Sequence, residues 1–161
     1  MHPLDREAEA VISPFNDVII QTVCRILIPF IQIYGLYVIA HGHISPGGGF
    51  QGGVILGASF ILLCLSYDIH ETKKRLSQKS TLIFFSLGLI IYSGIGIICL
   101  VLGGKYLDYG QLHKILPVNP VEARSMGIFG IEVGVGITVM AVMISIFLDL
   151  ASEGEQKGEL E

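Results

Sequence analysis

Four long apolar stretches, separated by short polar connections, limit what this chain can fold into. They run from about Val18 to Ala40, Gln51 to Tyr67, Thr81 to Leu102 and Met126 to Leu148 (18–40, 51–67, 81–102 and 126–148). Each approaches the roughly 20 residues of helix that cross about 30 Å of hydrocarbon. In lipid, backbone polar groups must be satisfied within a helix or a closed barrel. The regular alternation of barrel strands is absent. The expected fold is therefore an all-α integral membrane protein with four transmembrane helices in a single domain, 1–161. Charged residues make up 15% of the chain, against about 25% in an average soluble domain. They gather at the two ends and in 68–79. That pattern excludes a disordered chain, a nucleic-acid binder and a two-layer soluble domain.

The connections set the expected orientation. HETKKRLSQK carries Lys73, Lys74, Arg75 and Lys79, whereas the other two connections hold only Lys105, Lys114 and Arg124. Basic loops stay in the cytoplasm. With an even number of spans, both N- and C-termini are then cytoplasmic, and the loops 41–50 and 103–125 face outward. The opening MHPLDREAEA lacks an apolar core and a cleavage site, so no signal peptide is expected. Cys24, Cys64 and Cys99 each sit inside an apolar stretch, with neither disulfide nor zinc spacing.

The spans carry more small and polar residues than lipid-facing helices need. Gly127, Gly130, Gly134, Thr138, Ala141 and Ser145 recur every three or four residues and line one face of the fourth span. Small residues of this kind let helices approach closely in membranes. Glu132 and Gly136 point to roughly the opposite side. Gln21, Arg25, Gln32 and Gly35 form a polar stripe on the first span, which also contains Pro29. Gly53, Gly57 and Cys64 share a face of the second. These surfaces exceed what four helices are expected to cover among themselves, which favours a subunit of a hetero-oligomeric membrane complex in contact with the lipid bilayer over a small self-contained bundle or homodimer.

Glu132 is the leading ion-path candidate. It lies about 9 Å inside its span at 1.5 Å per residue, and an ionisable group at that depth suggests ion or proton movement. A buried carboxylate bonded to a neighbouring Lys, Ser or backbone accounts for it equally well. Arg25 is a second candidate, although snorkelling to the headgroups explains it more simply. A salt bridge between the two is not expected, because they belong to opposite leaflets. His41 and His43 flank Gly42 at the outer end of the first span. Nothing nearby completes a metal site, so a structural or interfacial role is favoured, with proton uptake by either imidazole as the functional alternative. In SPGGGFQGG, Pro46 stops the first helix. Gly47, Gly48 and Gly49 permit positive φ and a tight reversal, and Gly52 and Gly53 allow close packing of the next helix. The phosphate-loop ending GK[ST] is missing. No nucleophile, base and oxyanion donors assemble into a catalytic set.

The run RILIPFIQIYGLYVIAHGHISPGGGFQGGVILGASFILL, Arg25 to Leu63, resembles the MnhB/MrpB subunit family of the Mrp cation/proton antiporters. Related subunits occur in the Mrp-like modules of membrane-bound hydrogenases and sulfur-reducing complexes. GHISPGGGFQGG, Gly42 to Gly53, is the most specific part. With Ser13–Pro14, the match covers about a third of the chain. The resemblance implies a small four-helix, non-catalytic subunit of a prokaryotic plasma membrane that binds no redox cofactor, with Na+ as the transported ion. Its implied partners are other Mrp-type subunits, both small helical ones beside the sodium path and large antiporter-like ones that pump protons. No catalytic residue of the family transfers to a position here. PVNPVEARSMGIFGIEVGVG departs from the antiporter pattern and looks closer to the hydrogenase-type versions. The expected function is thus to help form a sodium path and subunit interfaces in an Mrp-type Na+/H+ translocation module. The alternatives are a purely structural scaffold and a self-sufficient channel or carrier.

Overall fold

The computed structural model describes residues 18–44, 46–67 and 78–158. The orientation-setting residues Lys73, Lys74 and Arg75, together with Ser13, Pro14 and His70, lie outside the described residues. Four long helices form: α1 Val18–His41, α2 Gly49–Tyr67, α3 Gln78–Val101 and α4 Pro120–Gly158. A short 3-10 helix, η1, spans Tyr109–Lys114. No strand occurs among the described residues. All four long helices contain segments long and apolar enough to cross a membrane, the longest being Pro120–Ala151. The chain is an all-α integral membrane protein.

The helices lie in a row, α1–α2–α4–α3, in which α4 packs on both α2 and α3 while α1 packs mainly on α2. Glycine governs each seam. Between α1 and α2, a Cβ at Gly35 would sit 3.0 Å from Leu56 Cγ, and one at Gly52 would sit 2.8 Å from the Gly35 carbonyl oxygen. Between α2 and α4 the contacts climb in steps of four on both helices: Gly49 on Glu132, Gly53 on Gly136, and Gly57 on Met140 and Met143. The residue numbers rise together, so these two helices run parallel. Between α3 and α4 the numbers run in opposite directions: Gly88 meets Gly134, and Ile95 meets Gly130. Main chains in van der Waals contact supply dispersion that the apolar solvent cannot.

This arrangement corrects one inference from sequence. Both faces of α4 do have polypeptide neighbours, but the same chain provides them. Gly127, Gly130, Gly134 and Thr138 meet η1 and α3, while Glu132 and Gly136 meet α1, α2 and the loop between them. Much of the uncovered apolar surface lies on the outer helices, at residues such as Ile26, Phe30 and Ile33 on α1 and Ile83, Ile90 and Ile97 on α3.

Two local signals explain departures from the expected limits. Helix α4 begins at Pro120 rather than near Met126. Proline suits the first helical position, where no N–H partner is needed and φ is already set, and the Ala123 N–H donates to the Asn119 carbonyl at 2.9 Å. Charged Glu122 and Arg124 hid this turn from a hydropathy reading. Helix α2 begins at Gly49, and Gly48 and Gly49 do not adopt positive φ. Among the described residues that conformation belongs to Gly103 (φ 84°) and Leu107 (φ 63°). Gly48 and Gly49 serve close approach to Glu132.

The end of the row where α1 meets α2 and α3 meets α4 is capped. Cys99, Leu112 and Ala123 form a small buried cluster, packed by Ile95, Leu102, Tyr109, Leu116 and Val118. Lys114 Nζ donates to the Leu102 carbonyl at 2.7 Å, satisfying one of the terminal carbonyls of α3. The three cysteines are buried and form no disulfide among the described residues.

The α3–α4 seam gives a direct prediction. A Cβ at Gly134 would already lie 3.0 Å from the Gly88 carbonyl oxygen and 3.2 Å from Ile91 Cγ2, so Gly134→Leu must push the helices apart. Overpacking of this kind costs about 1–3 kcal/mol or more. The expected result is a marked loss of subunit recovered in the assembled complex on native gels, whereas unchanged recovery would show the seam to be looser than described.

Candidate functional site

Glu132 lies on α4 beneath the connection from α1 to α2. Its Oε2 is buried and has no hydrogen-bond partner among the described residues. A buried carboxyl oxygen without a partner is costly to keep, so its surroundings call for an explanation.

Those surroundings are built from residues without side chains. A Cβ added at Gly42 would overlap Oε2 and lie 2.6 Å from both Oε1 and Cδ. One at Gly48 would lie 3.5 Å from Oε1. One at Gly49 would overlap the Glu132 carbonyl oxygen and lie 2.8 Å from its carbon. The loop thus rests its bare backbone on both the carboxyl group and the main chain of Glu132. Ile39 of α1 closes the next turn by packing over Gly136, where a Cβ would lie 2.8 Å from Ile39 Cδ1. The carboxyl group is held among backbone, glycine and aliphatic surface.

The two histidines separate here. The His43 ring lies edge-on to Phe129, with centroids 6.4 Å apart, and Phe129 is one helical turn from Glu132. His43 is exposed and adjoins Gly42, which lies over the Glu132 carboxyl group. His41 sits elsewhere. Its ring stacks on Tyr37 with centroids 4.1 Å apart, and its Nδ1 is 3.1 Å from the Tyr37 carbonyl oxygen. At 3.6 residues per turn, His41 falls on the side of α1 opposite Ile39, away from Glu132.

Arg25 is exposed. Gly42 marks the position of Glu132 along α1, and Arg25 lies about 25 Å from that level at 1.5 Å per residue. The two are not brought together. Pro46 and Gly47 line a different feature, a groove of about 460 Å³ between α1 and α2 that Tyr34, Tyr37 and Phe50 also border. Gly52 and Gly53 belong to the helix seams, as do Gly130 and Gly134. Among the described residues, no three His, Cys, Asp or Glu side chains converge as metal ligands would.

The sequence reading missed Gly42 and Gly49 as neighbours of Glu132. The available signal was the matched spacing of four in Gly49–Gly53–Gly57 and in Glu132–Gly136–Met140, which permits a parallel pairing. Nothing in that spacing fixes which residue faces which.

The family described as "Domain related to MnhB subunit of Na+/H+ antiporter" matches residues 19–145. A Staphylococcus haemolyticus protein named for the mnhB2 antiporter subunit is 31% identical over 137 residues, covering 84% of this chain and 95% of that protein. A Staphylococcus aureus protein of the same name, from strain Newman, is 29% identical with the same coverage. Four membrane-spanning helices and this bacterial kinship make it a multi-pass protein of the prokaryotic cell membrane. By a match that spans all four helices, the chain is a member of the MnhB family of Na+/H+ antiporter subunits.

Proposed function

We propose that this chain is an accessory, non-catalytic membrane subunit of an Mrp-type Na+/H+ translocation module, and that Glu132 lines its cation route. The observation that supports this is the buried Glu132 Oε2 without a hydrogen-bond partner among the described residues. A purely structural carboxylate would be expected to have a donor or a cation beside it. A group that takes up and releases a small cation must instead be free to exchange it. On this reading Na+ is transported, the chain holds no redox cofactor, and its partners are other Mrp-type subunits, both the small helical and the large antiporter-like ones. The relatives' names favour an antiporter as the parent complex over a respiratory one. The apolar faces of α1 and α3 supply the contacts with those partners and with lipid.

A scaffold role is the second reading, supported by the glycine seams and the open row of helices. One substitution separates the two. In everted vesicles, Glu132→Gln is expected to leave the complex assembled on native gels while lowering Na+-dependent proton exchange at least about tenfold, equivalent to roughly 1.4 kcal/mol of lost stabilisation. Normal exchange by a fully assembled Glu132→Gln complex rejects the route and leaves the scaffold.

A further inference from the structure

Three features outside the helix seams invite a function: the aromatic-edged groove between α1 and α2, the cap around η1, and the exposed imidazole next to the Gly42 cover of Glu132. Only the last juxtaposes two groups with complementary chemistry. We propose that His43 is the proton relay between the aqueous surface at the loop-bearing end and the Glu132 carboxyl group. The inference rests on the reading of Glu132 as part of the ion route and names the group that serves it.

The geometry carries the argument. Glu132 Oε2 is cut off from solvent, and the surface directly over it is Gly42, which has no side chain to carry a proton. The next residue, His43, is exposed and rests on Phe129, one turn from Glu132. It flanks Gly42, the residue that covers the buried oxygen. Imidazole is the side chain suited to pass protons near neutral pH in either direction.

The other titratable groups around Glu132 do not compete. His41 lies tilted against Tyr37, on the side of α1 opposite Ile39. The only titratable side chain described on α2 is Cys64, several turns below. On α4, the stretch from Met126 to Met140 holds no other ionisable residue. Helix α3, with Tyr92, packs on the opposite face of α4.

The step conserves charge and involves no electron transfer. The N–H bond of the His43 imidazolium breaks as an O–H bond forms at Glu132. The neutral imidazole then regains a proton from water at the surface. The reverse sequence releases a proton.

The test uses the complete complex in everted vesicles. His43→Gln is expected to assemble normally, since the side chain is exposed, and to slow Na+-dependent proton exchange about tenfold or more, within the range of a lost proton-transfer group. Added 4-methylimidazole is expected to restore much of the rate in His43→Gln and to leave Glu132→Gln unchanged. A His43→Gln complex that exchanges like the unmodified one, or whose loss imidazole does not repair, overturns the relay. If Glu132→Gln is slow while His43→Gln is normal, the relay alone fails. If Glu132→Gln is also normal, the ion route fails with it. A second measurement needs no substitution. Dicyclohexylcarbodiimide attacks protonated carboxyl groups in apolar surroundings, and mass spectrometry of the treated complex should find it on Glu132. Absence of that adduct across the pH range of transport overturns the proposal.

Discussion

Gly49→Ala is expected to remove the subunit from the complex, although it adds a single methyl group. That methyl would overlap the carbonyl oxygen of Glu132 and stand 2.8 Å from the carbonyl carbon and from Cα. All three are main-chain atoms within a helix, so no side-chain rotation can relieve the overlap. Helix α2 must move off α4. The movement also loosens the next rung, where Gly53 faces the Gly136 carbonyl oxygen with room for a Cβ only 2.6 Å away. Overpacking in a rigid core costs about 1–3 kcal/mol and sometimes more. At about 3 kcal/mol the folded population falls more than a hundredfold relative to the unfolded one. The lost contacts are dispersion between main chains, and surrounding lipid offers no hydrophobic drive to offset them. Native gels and protease protection of the membrane-embedded chain would report the loss. Gly94→Ala is the control. Nothing lies within 4 Å of a Cβ there, and alanine favours a helix by about 1 kcal/mol over glycine, so that variant should assemble at least as well as the unmodified chain. Equal recovery of both variants would refute the close α2–α4 seam.

What the sequence disclosed about this fold follows from the range over which its signals act. The four helices were legible because crossing a membrane demands a continuous apolar run, a local property. Their pairing was only half legible. The small-residue stripe Gly127–Gly130–Gly134–Thr138 marked a face of α4 that needed close company, and helical periodicity placed Glu132 and Gly136 on the other side. Periodicity does not name the neighbour. Both faces turned out to be filled from within the chain, by Gly88 and Ile95 on one side and by Ile39, Gly49 and Gly53 on the other. The start of α4 at Pro120 was also readable in principle, from an asparagine–proline pair that begins helices, but hydropathy outweighed it.

The site shows the same limit more sharply. Glu132 stood out because a carboxylate in an apolar span is unusual in any context. Its cover did not, because Gly42 and Glu132 are distant in sequence and a glycine between two histidines reads as a hinge. Contact between them arises only once α2 and α4 run parallel and bring the Gly42–Gly49 connection over the fourth turn of α4. That packing also divided His43 from His41. His41 ends α1 whereas His43 lies in the turn beyond it, so their side chains take different directions, a distinction that depends on which side of α1 faces the bundle.

Gly42 and Gly49 touch the same residue, yet substitution at Gly42 is expected to fail in the opposite way. A Cβ at Gly42 would meet the carboxyl end of Glu132, not its backbone. The carboxyl group terminates a flexible side chain and can yield by rotating about its own bonds. Gly42 also lies outside the Gly49–Gly53–Gly57 seam, so α2 and α4 need not separate. Gly42→Ala should therefore assemble normally while displacing the carboxyl oxygens from the position beside His43. Na+-dependent proton exchange is expected to fall at least about tenfold, corresponding to roughly 1.4 kcal/mol. Shortening the acid should return part of that loss: Glu132→Asp withdraws the carboxyl group by one methylene and makes room for the added methyl. The double variant Gly42→Ala/Glu132→Asp is expected to exchange faster than Gly42→Ala alone, a departure from additivity that contacting residues show and distant ones do not. If Gly42→Ala instead exchanges at the normal rate in an assembled complex, the placement of the carboxyl group under Gly42 has no bearing on transport. If it fails to assemble, the loop bears on the backbone of α4 and not on the acid, and the distinction drawn between these two glycines is wrong.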